Sequence, residues 1–174
     1  MKRKLAFILF AALMLTPWPV AYAYDNTAVG QPTVQIEAAE TAAAPQWQAF
    51  GNAIGGVTPG DLFYIDSTNS TADLPVTLLI TNTDELVRRY RYLTLKVGAY
   101  VQTDTGQWRE VTASNGQASP DTYITMLNAR ASFMLPGYAR YKITIDRGCF
   151  YSYGTSTTAD GSNAAPDFYL AVEQ

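Results

Sequence analysis

Period-two alternation of apolar and polar residues constrains this chain's fold more than any other feature. Over 91–102, Leu93, Leu95, Val97, Ala99 and Val101 fall on one face, while Tyr92, Thr94, Lys96, Gly98 and Tyr100 fall on the other. Successive side chains of a strand point to opposite faces, so this pattern predicts one long, half-buried strand. Over 75–81, Val76, Leu78 and Ile80 share a face in the same way. Further strands are expected at 62–65, 108–112, 122–127, 131–135, 138–146 and 168–173. Turn chemistry separates them at Thr58-Pro59-Gly60-Asp61, Thr103-Asp104-Thr105-Gly106, Ser114-Asn115-Gly116 and Pro136-Gly137.

One helical segment interrupts the strands. Asn82 stands three residues before Glu85, the spacing of a capping box, and 86–90 follows as a helix of one or two turns. Seven to eight short strands with one short connecting helix imply an all-β sandwich. Two stretches fit a compact sandwich poorly. One is the Ser-, Thr- and Gly-rich loop 154–166. The other is 24–45, where the short alternating run Thr33-Val34-Gln35-Ile36-Glu37 precedes the Ala-rich 38–44. These features predict an extended N-terminal arm on a soft linker.

The first residues have the grammar of a secretory signal peptide. Lys2, Arg3 and Lys4 precede the apolar run 5–15, Pro17 and Pro19 break it, and Ala21-Tyr22-Ala23 supplies small residues where a signal peptidase reads. The apolar run falls short of the roughly 20 residues that span a bilayer. Cleavage is expected after Ala23, giving a secreted, extracellular protein with no membrane insertion after processing. The expected organisation is a signal peptide over 1–23, the arm and linker over 24–45, and a sandwich domain over 46–174. The remaining 151 residues carry nine basic and 15 acidic side chains, a net charge of −6. An acidic chain without a basic run argues against nucleic-acid binding. Cys149 is the only cysteine, so no intramolecular disulfide is available. It reads first as a small buried hydrophobe, with a reactive thiol or an intermolecular bridge as alternatives.

Catalytic chemistry is hard to assemble from this composition. There is no histidine, which excludes Ser-His-Asp and Cys-His catalysis and His-based zinc sites. The carboxylates are scattered over turns, so a non-enzyme is expected. Calcium is the one cofactor its hard oxygen ligands suggest, through Asp61, Asp66, Asn69 and Asp73, although a solvated turn explains the same cluster. Asn69-Ser70-Thr71 is also a glycosylation sequon. Tyr92, Tyr100, Trp108, Tyr138, Tyr151 and Tyr153 could stack on sugars, line a protein interface, or pair across strands.

The middle of the chain resembles a known family. The strand at 62–65, the segment Leu74-Pro-Val-Thr-Leu-Leu-Ile-Thr-Asn-Thr-Asp-Glu-Leu86 and the segment Arg89-Tyr-Arg-Tyr-Leu-Thr-Leu-Lys-Val97 are similar to the subunits of archaeal cannulae and their bacterial relatives. Pro32-Thr-Val-Gln-Ile-Glu37 is similar to their N-terminal strand, and Pro166-Asp-Phe-Tyr-Leu-Ala-Val172 to their closing strand. Pro59-Gly60-Asp61 with Ile80-Thr-Asn-Thr83 more loosely resembles the TasA/camelysin fibre proteins. The resemblance implies a jelly-roll-like sandwich whose copies polymerise by donor-strand complementation, with calcium at the contacts. Thr33, Val34, Gln35, Ile36 and Glu37 would then be the donor strand, and Val76, Leu78, Ile80, Phe168, Leu170 and Val172 the acceptor sheet. The arm could equally fold back as the first strand of its own domain. The alternative function is a monomeric cell-surface module binding carbohydrate or protein.

Overall fold

The computed structural model describes residues 22–25, 34–50, 54–111, 123–153 and 165–173. The expected turn at 114–116 and most of the loop 154–166 and of the signal segment lie outside these residues. Twelve strands and one helix are described. They run β1 (Tyr22–Asp25), β2 (Gln35–Ala38), β3 (Trp47–Phe50), β4 (Ile54–Val57), β5 (Gly60–Asp66), β6 (Leu74–Ile80), α1 (Thr83–Arg89), β7 (Tyr90–Gln102), β8 (Trp108–Glu110), β9 (Tyr123–Thr125), β10 (Arg130–Leu135), β11 (Arg140–Ser152) and β12 (Phe168–Val172). The fold is all-β, as expected, with more strands than the seven to eight anticipated. A four-stranded sheet has the order β1-β12-β6-β10, and the other eight strands form a second sheet around β11 and β7. Pairing is antiparallel throughout, except that β1 lies parallel to β12.

The alternating runs behave as their pattern demands. Val76, Leu78 and Ile80 of β6, and Leu93, Leu95, Val97 and Ala99 of β7, are all buried in one core shared by the two sheets. Fully burying each of the Val, Leu and Ile side chains contributes about 1.5–3 kcal/mol. The turn 103–106 closes the β7–β8 hairpin, with Gly106 N–H donating to the Thr103 carbonyl at 2.8 Å and Gly106 at φ 80.

β11 extends six residues beyond its expected end because its alternation changes phase midway. Tyr141, Ile143 and Ile145 point inward. A bulge between Ile145 and Arg147 then sends Asp146 and Arg147 outward together, after which Phe150 and Ser152 point in. A bulge inserts one unpaired residue and so inverts every later face. The same inversion corrects the expectation for Cys149, which is exposed. β11 pairs with β7 on one flank, and on the other with β5 followed by β4. β4 is rich in glycine for a steric reason: a Cβ at Gly55 would collide with the Phe150 ring.

The Ala-rich stretch is not a soft linker. Ala39 and Ala44 are buried, Ala39 N–H donates to Leu62 O and Asp61 N–H to Ala43 O, each at 2.8 Å. The backbone of Ala44 and Pro45 lies so close to Gly60 that no side chain fits there. Small residues at 38–44 let this segment lie flat along β5.

α1 occupies the expected place, but its capping box does not form. Asn82 makes no side-chain cap; its Oδ1 instead accepts from Asp167 N–H at 2.9 Å, and its Nδ2 donates to Ala165 O at 2.9 Å. The residue that sequence spacing assigns to the helix start therefore fastens the segment entering β12.

Candidate functional site

The expected donor strand lies within its own chain. Thr33 is outside the described residues. Val34 and Ile36 are 0% and 4% exposed in the core, while Gln35 and Glu37 face outward. The alternation was therefore legible, but its partner is β5 of the same chain, in a register running from Gln35 against Asp66 to Ala38 against Phe63. The packed 38–44 segment explains why: it lacks the slack that would carry this strand to a neighbour.

The six expected acceptor residues do come together. Phe168 pairs with Ile80, Leu170 with Leu78 and Val172 with Val76 across β12 and β6. Phe168 and Leu170 are buried, and Val172 is half-buried against the same core. The outer flank of β12 carries β1, in a parallel register of Tyr22 with Phe168, Ala23 with Tyr169, Tyr24 with Leu170 and Asp25 with Ala171. Sequence reading missed this strand because its residues sit at the expected cleavage point, where a chain is not read for secondary structure.

The four expected calcium ligands do not converge. Among the described residues, no three carboxylates gather into a group that could hold a metal ion. Asp61 already accepts from Lys142 Nζ at 3.0 Å and Tyr64 Oη at 2.7 Å. Asp66 accepts from Arg140 Nε at 2.8 Å, Thr68 N–H at 3.0 Å and Thr68 Oγ1 at 2.6 Å. Burial pushes the Asp66 carboxyl up, but the Thr68 hydrogen bonds and the Arg140 guanidinium outweigh it and hold the group below the usual carboxylate range. Burial, followed by the bond to Asp61, pushes the Tyr64 phenol up to about 12. Asn69 is exposed on a turn whose flanking Ser67 and Ser70 carbonyls both accept from Tyr138 N–H at 3.1 Å, and Asp73 is exposed.

The singled-out aromatics separate into two groups and an outlier. Tyr92 pairs with Tyr151, and the Arg91 guanidinium lies 5.7 Å from the Tyr151 ring centre and 5.2 Å from that of Tyr153. Farther along the same outer face, Lys142 Nζ lies 5.5 Å from the Tyr100 ring centre and 5.4 Å from that of Trp108. Tyr138 is exposed on its turn. Beside Trp108 of the second group runs a cleft of about 380 Å³, which the sequence did not reveal because its walls come from five strands. Compared with the known protein families and with curated proteins, the chain matches none.

Proposed function

We propose that the chain is a secreted, non-enzymatic subunit of an extracellular assembly, in which a strand of one copy pairs with the β12 edge of the next. The observation that carries this reading is the position of β1 across the expected cleavage point. Processing after Ala23 would remove the β1 partners of Phe168 and Tyr169, whose β6 partners Ile80 and Leu79 remain, and leave only Tyr24 and Asp25 on the outer flank of β12. Two residues at a free chain end cannot hold a ladder against fraying. β12 would then present an open edge of five residues, with Phe168 and Leu170 already locked into the core.

Natural proteins normally cover such an edge, and an extended segment of another chain covers it through main-chain hydrogen bonds. With Val34 fixed in its own core, the donor is the segment before it. Residues 24–33 extend to roughly 33 Å, enough to reach a neighbouring copy. The contact joins two different surfaces, so it propagates as a filament or tubule. The resemblance to cannula-type subunits agrees with this reading. Calcium is not needed for its mechanism.

Two forms of the protein test it: one beginning at Tyr24 and one beginning at Val20, which retains all of β1. The Tyr24 form should elute as large species and show polymers by negative stain. The Val20 form, and a form lacking residues 24–32, should stay monomeric. A Tyr24 form that is monomeric at every concentration, or equal assembly of all three forms, would refute the proposal.

A further inference from the structure

We infer that the outer face of the eight-stranded sheet carries a binding site for a neutral saccharide chain, lying across the strands in the cleft between Gln35 and Trp108. The inference does not rest on the assembly reading. Strand register creates the site. Gln35 is opposite Asp66 on β2 and β5, Asp66 is opposite Arg140 on β11, and Gln102 is opposite Trp108 on β7 and β8. Gln102 stands one position beyond the Tyr141–Val101 pair, which places it beside Arg140. Five residues from five adjacent strands thus form one transverse row. At about 4.8 Å per strand the row is roughly 19 Å long. They line the cleft together with Glu37 and Tyr64.

The chemistry of the row favours vicinal hydroxyls over other ligands. Every sugar hydroxyl both donates and accepts, and this rim offers amides, a guanidinium and carboxylates side by side. Its planar groups are set in advance: Asp66 is held by Arg140 and Thr68, and Arg140 by Asp66. Binding would therefore cost little ordering of side chains. Trp108 supplies the apolar wall that a pyranose face needs. It is 36% exposed, and it leans on Lys142 and on the Tyr64 ring at 6.2 Å.

An ordinary solvated polar face would account for the amides and the ion pair. It would not account for a half-exposed indole closing the end of a concave row. Charge excludes an anionic ligand. Asp66 offsets Arg140, Glu37 adds a further negative charge, and the chain as a whole is acidic. Like charge in the cleft would repel a phosphate or a uronic acid.

Titration calorimetry and tryptophan fluorescence of the protein beginning at Tyr24 test the site. The probes are cellohexaose, laminarihexaose, chitohexaose and mannohexaose, with hexagalacturonate as the acidic comparison. At least one neutral probe should bind and perturb the fluorescence, with little dependence on salt. Trp108→Ala should weaken that binding roughly tenfold or more, Trp108→Phe should retain most of it, and Arg140→Gln should weaken it. Tyr138→Ala, off the row, should leave it unchanged. The inference is overturned if no neutral probe binds, if only hexagalacturonate binds, or if Trp108→Ala binds as the unsubstituted protein does.

Discussion

The side chain of Asn82 accepts a hydrogen bond from the backbone N–H of Asp167, 85 residues away, at 2.9 Å, and its amide donates to Ala165 O. This pair ties the start of α1 to the entry of β12. Asn82→Ala should cost about 1–3 kcal/mol, because it leaves a part-buried N–H and a carbonyl without their partners. Helix content should not change, since Asn82 makes no cap. Urea unfolding and far-ultraviolet circular dichroism check the two halves of this expectation.

Gly55 lies under the Phe150 ring, so Gly55→Ala should destabilise by about 1–3 kcal/mol through overpacking. Phe150→Leu alone should also destabilise. The double variant should lose less than the sum of the two, because the smaller side chain vacates the space the new methyl needs. A double-mutant cycle by urea unfolding measures the coupling, and strict additivity would contradict the contact.

Val34→Asp combined with Ile36→Asp distinguishes a core strand from a free arm. An arm reaching a neighbour would tolerate both changes within a folded subunit. At the start of β2 and just before it, each places a carboxylate in a site at most 4% exposed. The cost is roughly 3–5 kcal/mol for each uncompensated buried charge. Against a total stability of about 5–15 kcal/mol, the double variant should be unfolded by circular dichroism at neutral pH.

Asp66 is held below the usual carboxylate range in the folded state, so its contribution to stability is present above its unfolded pKa. That contribution is lost as pH falls through the folded value, below about pH 4. Arg140→Gln should raise the Asp66 pKa part of the way back, because the Thr68 bonds remain. It should also move the acid limb of the stability curve to higher pH. A carbon-detected carboxyl titration reads the first effect and pH-dependent melting the second.

Legibility followed the range of the interactions involved. The faces of β6 and β7 depend only on local alternation, and Val76 through Val97 lie where their spacing puts them. β11 was read only to Asp146, because the bulge after Ile145 reverses the alternation on which such a reading depends. β4 has two glycines, a composition that reads as loop until Phe150 is placed above it. Asn82 had a plausible local role, and a tertiary partner outcompeted it. The transverse row of Gln35, Asp66, Arg140, Gln102 and Trp108 is scattered between positions 35 and 140, and register alone aligns it.

β11 also sets the order in which this protein can be completed. Its three partners, β4, β5 and β7, all precede it in the chain, and none of them substitutes for it. Until residues 140–152 have been synthesised, the larger sheet has no spine, and the strands already made can form only separate pairs, β2 with β5, β3 with β4, and β8 and β9 with β7. Non-local closure of this kind is slow and leaves nascent strands exposed to wrong pairing. A chain stopped short of residue 140 would therefore be a substrate for chaperones or proteases, not a smaller folded unit.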